Sequence, residues 1–313
     1  MAHKRLTQII PSAIGLLLFG VSIWALAQEL HEYPPRVLWQ SLWVIPPVQV
    51  LLALGATCLN YVAISSYDAL AIRYIRHPLP YAQTALAGGV STAIGNSAGL
   101  SLLTNVATRY RFYSSWGLSA VEIASLTAFC HISFWLGLLT VGGLAFLFQP
   151  IMALPASLHL PFHSVRPLGA VFLAIIVGYL VGNAFSQRSW KIGKWVFPHL
   201  PIPLSFGQVA IASCDWLLAA AALYLLLPPT ISISYPGFLS LFLLAQVAGI
   251  WSNVPGGLGV FETVMLVLLS HTITSSTLFG ILLVYRGIYY LLPLAIAALL
   301  FAGHEWWQRW SDR

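Results

Sequence analysis

The chain is built from long apolar runs joined by short polar connectors. A helix needs about 20 apolar residues to cross the hydrocarbon core of a bilayer. Six runs of that length read as transmembrane helices, at residues 9–28, 43–67, 119–148, 168–187, 208–228 and 277–303. Two further apolar segments break the pattern. Residues 84–108 are rich in Gly, Ser, Thr and Asn and carry little bulk. Residues 237–270 are apolar at both ends and interrupted by Asn253-Val254-Pro255-Gly256-Gly257. Each of these two segments is too short to cross twice as a helix.

The basic residues decide how the odd segments lie. Lys4 and Arg5 place the N-terminus in the cytoplasm, because cytoplasmic loops of membrane proteins carry an excess of Lys and Arg. If 84–108 crossed once, Arg109 and Arg111 would face outside, and so would Arg188, Lys191 and Lys194. If it enters and turns back, all five are inside. The same reasoning turns 237–270 back to the outer face and returns the C-terminus to the cytoplasm. Of the 14 Lys and Arg, 11 then lie inside, Arg36 and Arg166 lie outside, and Arg286 lies within a span. Both segments are therefore expected to be re-entrant hairpins. Irregular backbone at membrane depth is tolerated where protein or a wet cavity covers it, so tips near Gly95–Gly99 and Asn253–Gly257 should face the protein interior.

This order repeats as span, span, hairpin, span. Each set crosses three times, so the second half (165–313) would be inverted relative to the first (1–150) within one membrane domain. Inverted repeats with paired interrupted segments point to a transport site near the midplane. No residue-level identity between the halves supports the repeat.

Composition agrees. Only 7% of the 313 residues are charged, against roughly 25% in soluble domains, and the mean hydropathy is +0.84. Lipid must solvate most of the surface, and no stretch is polar enough for a soluble catalytic domain. The net charge of +6 reflects sidedness rather than a nucleic-acid partner. The run at 9–28 has no small-residue cleavage site and reads as a first span rather than a signal peptide. Cys58, Cys130 and Cys214 lie in apolar segments and read as buried free thiols.

Charges inside spans cost about 2.5–3.5 kcal/mol each at a helix centre, so the few present carry information. Arg286 lies ten residues into the last span. Glu262 follows the Pro-Gly-Gly break, and Asp215 lies in the 208–228 run. One reading makes Arg286 the holder of an anionic headgroup, balanced by Glu262 or Asp215. The other makes Arg286 and Glu262 a structural pair that locks the second hairpin. Arg109 and Arg111 lie where the first hairpin returns to the cytoplasmic face. Their planar forks suit phosphate, and they equally suit anchoring in the headgroup layer. Asn253, Gly256 and Gly257 either present backbone N–H groups to an anion or permit a tight turn. Ser119 and Glu122 match a capping box at the start of a helix.

Gly95-Asn96-Ser97-Ala98-Gly99 fits the GxSxG pattern, but a nucleophile elbow needs a strand before it and a helix after it. Small residues at helix contacts explain the string better. His131 has no metal-ligand partner at helical spacing and reads as a hydrogen-bonded core residue. No Walker motif, arginine ladder or selectivity-filter repeat is present.

Three separated motifs, TRYRFYSSWGLS (108–119), NVPGGLGVFE (253–262) and VYRGIYYLLPL (284–294), resemble the transmembrane domain of the lysylphosphatidylglycerol synthase/flippase family. The likeness covers nearly the whole chain in the expected order. It implies a role in lipid translocation, with Arg109, Glu262, Tyr285 and Arg286 at motif positions. In two-part members of that family a cytosolic aminoacyl-transferase domain follows the membrane part. This sequence stops at Arg313, so aminoacyl transfer is not expected of it.

The expectation is thus an all-α polytopic protein of the plasma (inner) membrane, with six spans, two re-entrant hairpins and both termini cytoplasmic. It would move an anionic or amphiphilic lipid between leaflets, with no cofactor, no metal and no enzymatic step. Two alternatives remain at this stage. One is a non-transporting membrane partner of an envelope lipid-modifying enzyme or glycosyltransferase. The other is a secondary transporter of a small solute.

Overall fold

The structure is a computed structural model, and it describes Arg36 and residues 45–97, 101–148, 165–185, 190–192, 195–197, 200–252 and 254–311. Ten α-helices account for nearly all of these. They are α1 (Pro47–Ile75), α2 (Tyr81–Ser97), α3 (Ser101–Ser115), α4 (Ala120–Phe148), α5 (Arg166–Phe185), α6 (Ile202–Tyr224), α7 (Tyr235–Trp251), α8 (Val260–Leu269), α9 (Ser275–Arg286) and α10 (Leu292–Ser311). The exception to an all-helical chain is a two-stranded antiparallel ribbon, β1 (Trp190–Ile192) and β2 (Trp195–Phe197), with Ile192 opposite Trp195. Aromatic and β-branched residues on both sides of Gly193-Lys194 favour a hairpin there. It lies within the basic connector before α6.

Five helical stretches are long and apolar enough to cross a membrane: α1, α4, α5, α6 and the continuous Ser275–Gln308 stretch. They coincide with five of the six runs read as spans. The run at 9–28 lies outside the described residues. Because lipid is the solvent, these helices keep large apolar side chains on their outer faces. Leu51, Leu59 and Val62 of α1 are exposed, as are Val171, Ile175 and Val177 of α5.

Both odd segments are helix–break–helix hairpins. Helices α2 and α3 pack side by side, and so do α7 and α8. At about 1.5 Å per residue, the 17 residues of α7 rise about 26 Å and the 10 of α8 about 15 Å. Both fall short of a hydrocarbon core about 30 Å thick. The second break is built on glycine. Gly256, Gly257 and Gly259 all take positive φ (59°, 63° and 75°), a region other residues enter at a steric cost. A side chain on Gly257 would also sit 3.2 Å from the Gly249 Cα on α7. At the first break, Gly95 lets the Asn105 side chain of α3 lie directly on α2, where a methyl group would overlap it.

The last span has an internal irregularity. Residues Gly287–Leu291 form a π-turn between α9 and α10, with the Leu292 N–H bonded to the Gly287 carbonyl. Pro293 explains it. Proline offers no N–H, and its ring crowds the carbonyl four residues back, here that of Tyr289. The widened turn relieves this crowding, and such turns recur at functional sites.

Each hairpin belongs to its own apolar core. Phe238, Phe242, Phe261, Met265 and Tyr285 pack α7 and α8 against α6 and α9. Ile94, Phe112, Ile123, Leu126 and Phe301 pack α2 and α3 against α4 and α10. The two cores meet along α1, α4 and α6, and the C-terminal end of α2 comes together there with the Pro255–Gly257 turn.

Candidate functional site

A cavity of about 300 Å³ lies at that meeting point. Gly95, Asn96, Asn105 and Arg109 reach it from the first hairpin, and Gln246, Gly249, Ile250, Val254, Gly256 and Gly257 from the second. Helix α4 supplies Cys130, His131, Phe134 and Trp135, and α6 supplies Asp215 and Trp216. The π-turn brings Tyr289 and Tyr290 to the same wall. Gly95, Gly256 and Gly257 thus face the interior, as the sequence predicts; residues 98–100 and Asn253 are outside the described part.

The cavity has a side mouth. Helices α4 and α7 touch where Gly142 meets Leu243, 3.9 Å from the position a Cβ would take. Further along, His131 and Trp135 on α4 and Gln246 and Ile250 on α7 line the cavity while retaining exposure. His131 lies near the middle of the 29-residue α4, a helix long and apolar enough to cross a membrane. The Trp135 indole donates to His131 Nε2 at 3.1 Å along α4, one helical turn apart.

Arg109 is the arginine of the candidate set that lines the cavity. It is held by Asp68 of α1, with Nε to Oδ1 at 3.0 Å and Nη2 to Oδ2 at 2.9 Å. Its Nη1 donates to Asn105 Oδ1 at 3.2 Å, toward the cavity side. Asp68 is fully buried and also accepts from the Tyr113 hydroxyl at 2.9 Å. The sequence reading ended the second span at residue 67 and left Asp68 in a connector. Helix α1 instead continues to Ile75 and carries Asp68 into the core. An acidic residue one position beyond an apolar run, five residues before Arg73 and eight before Arg76, was the available signal.

Arg286 sits elsewhere. It is fully buried, and its Nε donates to Glu262 Oε1 at 2.6 Å. Nη1 donates to the Gly256 carbonyl at 2.7 Å, and the guanidinium lies 4.4 Å from the Tyr290 ring centre. The other oxygen of Glu262 accepts from the Gly259 N–H at 2.9 Å, closing the first turn of α8. Arg286 therefore fastens the glycine turn to α9 from behind the cavity wall. Arg286 and Glu262 are thus a buried ion pair at the second hairpin. Tyr285 is buried beneath the wall, stacked on Tyr289 at 5.1 Å. Arg111 also points away, paired with Glu305 of α10 through Nε–Oε1 at 2.6 Å and Nη2–Oε2 at 2.9 Å. It ties the first hairpin to the last span.

Asp215 is buried. Its carboxylate accepts from Asn60 Nδ2 and from the Tyr67 hydroxyl, both at 2.7 Å. The Tyr289 hydroxyl donates to Asn60 Oδ1 at 2.9 Å, so the π-turn, α1 and α6 are joined through Asp215. Asn60, Tyr67 and Tyr289 went unnoticed in the sequence because neutral polar residues in apolar runs are common. Ser119 and Glu122 form the expected capping box at the start of α4, at 2.8 Å and 3.3 Å for the two backbone N–H groups. Ser97 ends a helix with no strand before it, and its hydroxyl has no described partner. Among the described residues no cluster of His, Cys, Asp or Glu could hold a metal.

No protein-family model matches the chain. It is 46% identical over its full length to the uncharacterized protein slr0712 of Synechocystis sp., covering 97% of that protein. It is 31% identical to the inner membrane protein YbhN of Escherichia coli, over 87% of this chain and 86% of the relative. It also matches phosphatidylglycerol lysyltransferases, at 23% identity over 95% of this chain for the Staphylococcus xylosus protein, of which it covers 34%. These matches, over a helical bundle with two hairpins, place the chain in the lysylphosphatidylglycerol synthase/flippase transmembrane-domain family.

Proposed function

We propose that this protein moves the headgroup of an anionic or amphiphilic lipid between the leaflets of the plasma membrane, with both termini in the cytoplasm. The observation that carries the reading is the cavity between the two hairpins, lined by Arg109, Asn96, Asn105 and Gln246, with the exposed His131 of α4 and Ile250 of α7 at its edge. A headgroup needs polar groups to replace its water at membrane depth, because unpaired polar groups in hydrocarbon cost several kcal/mol each. The tails need no such shelter and can remain in the bilayer through the side mouth. Arg109 is the phosphate contact: its guanidinium can share its donors between Asp68 and an incoming phosphate. Halves inverted in the way the sequence order suggests would let the two hairpin tips alternate in closing the cavity toward either face. The likeness to proteins named for phosphatidylglycerol chemistry supports a lipid rather than a small solute.

The test is reconstitution of the purified chain into vesicles containing a fluorescent phosphatidylglycerol. A membrane-impermeant quencher reads the fraction of dye in the outer leaflet. Transfer faster than in protein-free vesicles supports the reading. Equal rates, with folded protein, overturn it in favour of a non-transporting partner of an envelope enzyme.

A further inference from the structure

Three of the buried or nearly buried acidic residues among the described helices are neutralised by arginine: Asp68 by Arg109, Glu262 by Arg286 and Glu305 by Arg111. Asp215 differs. It lines the cavity and is 6% exposed, and its hydrogen-bond partners are an amide and a phenol. It forms no salt bridge among the described residues. A carboxylate in this position stays charged at a large cost or takes up a proton.

We propose that Asp215 is a proton-binding residue that couples headgroup passage through the cavity to a proton gradient across the membrane. The inference rests on the cavity being the headgroup path. Its geometry accommodates both states. Ionised, Asp215 accepts from Asn60 and Tyr67. Protonated, it keeps the Asn60 bond on Oδ1 and donates from Oδ2 to the Tyr67 oxygen, whose own hydrogen turns away. One proton is taken from water on one side and one is released to water on the other, so charge and atoms balance. The Asn60 link passes the change to Tyr289 and the π-turn, which abuts the Arg286 clamp on the second hairpin. Both oxygens are already engaged at 2.7 Å by neutral donors, which leaves room for a proton and little for a bulkier cation.

The other ionisable groups near this carboxylate are neutral or already paired. Helix α1 contributes Tyr61 and Tyr67 and the π-turn Tyr289, and the Cys130 thiol of α4 lines the same cavity and lies beside Asp68 and Arg109. Arg109 lines the same cavity but is held by Asp68. His131 lines it as well and is the competing candidate for the proton.

The experiment uses the full chain in vesicles of neutral lipid containing a fluorescent phosphatidylglycerol, with and without an imposed pH gradient. With one proton per lipid, each pH unit should bias the leaflet distribution about tenfold. The bias should vanish in Asp215→Asn and persist in His131→Gln. Transfer without any bias, or a bias that survives Asp215→Asn or disappears in His131→Gln, overturns the proposal. If no lipid moves in the unsubstituted protein, the transport reading fails, and infrared spectroscopy then decides on the proton site alone. A carboxylic-acid carbonyl band that appears on acidification and is missing in Asp215→Asn upholds it, and no such band refutes it. If Asp215→Asn does not fold, Tyr67→Phe removes one donor and should move that band's titration toward higher pH. An unmoved band overturns the assignment.

Discussion

The two hairpins use the same device with opposite signs. In the first, the returning arm carries the cation, Arg109, and the neighbouring span carries the anion, Asp68. In the second, the arm carries Glu262 and the span carries Arg286. Both pairs are buried, yet their surroundings differ. Arg109 borders the cavity and makes its third bond to the cavity residue Asn105. Arg286 is enclosed by Glu262, the Gly256 carbonyl and Tyr290, behind the wall. The comparison teaches that a buried arginine is informative through what it faces. One arginine holds a turn in place; the other is positioned to exchange partners.

That difference can be broken by substitution, and the largest effect should come from the sealed pair. Arg286→Ala leaves Glu262 buried without its cation, and losing one partner of a buried pair costs about 3–5 kcal/mol. The expected outcome is a large loss of thermal stability in detergent, with transfer lost as a consequence of unfolding. Neutralising both partners, as Glu262→Gln with Arg286→Gln, should recover most of the stability, since a neutral hydrogen-bonded pair carries no unpaired charge. A double variant as unstable as Arg286→Ala would contradict the structural role.

The cavity-facing pair should behave differently. Asp68→Asn with Arg109→Gln should also restore stability relative to either single change. It should nevertheless slow headgroup transfer by about tenfold or more, the equivalent of about 1.4 kcal/mol or more from lost charge-assisted bonds to phosphate. Vesicle transfer rates compared with melting temperatures check this separation.

A smaller effect is expected at the second break. Gly257→Ala forces a side chain into positive φ and against the Gly249 Cα, and should cost about 1–2 kcal/mol. Gly95→Ala meets the movable Asn105 amide instead of backbone and should cost less. The two melting temperatures check that order. The smallest effect is at Ser97→Ala, which removes a buried hydroxyl with no described partner and should leave transfer unchanged. Loss of transfer there, in a folded variant, would revive a serine-based chemistry.

Five of the six spans, the hairpins and the Glu122 cap were legible in the sequence because each follows from a local rule: run length, glycine and proline placement, and a three-residue spacing. The charge asymmetry of Arg73, Arg76, Arg109 and Arg111 made the first hairpin visible, and the Asn253–Gly257 interruption the second. What could not be read is pairing. Asp68 lies 41 residues from Arg109, and Asn60 lies 155 from Asp215. Such contacts are set by which helix faces meet, and an apolar run facing lipid has no moment to reveal its inner face. For the same reason Arg286 and Glu262 could be named together from the sequence while their position behind the cavity wall could not. The π-turn was hidden although its cause, Pro293, was in plain sight, because a proline in a membrane helix can be accommodated in several ways.

The central claim is that headgroups pass through the cavity beside Arg109 while Arg286 only holds the second hairpin. It is tested most directly by measuring fluorescent phosphatidylglycerol transfer in vesicles for the two doubly neutralised variants. The account predicts that folded Glu262→Gln/Arg286→Gln transfers at a rate close to the unsubstituted protein, while equally folded Asp68→Asn/Arg109→Gln is about tenfold slower or worse. The reverse order, or equal rates in both, would contradict it.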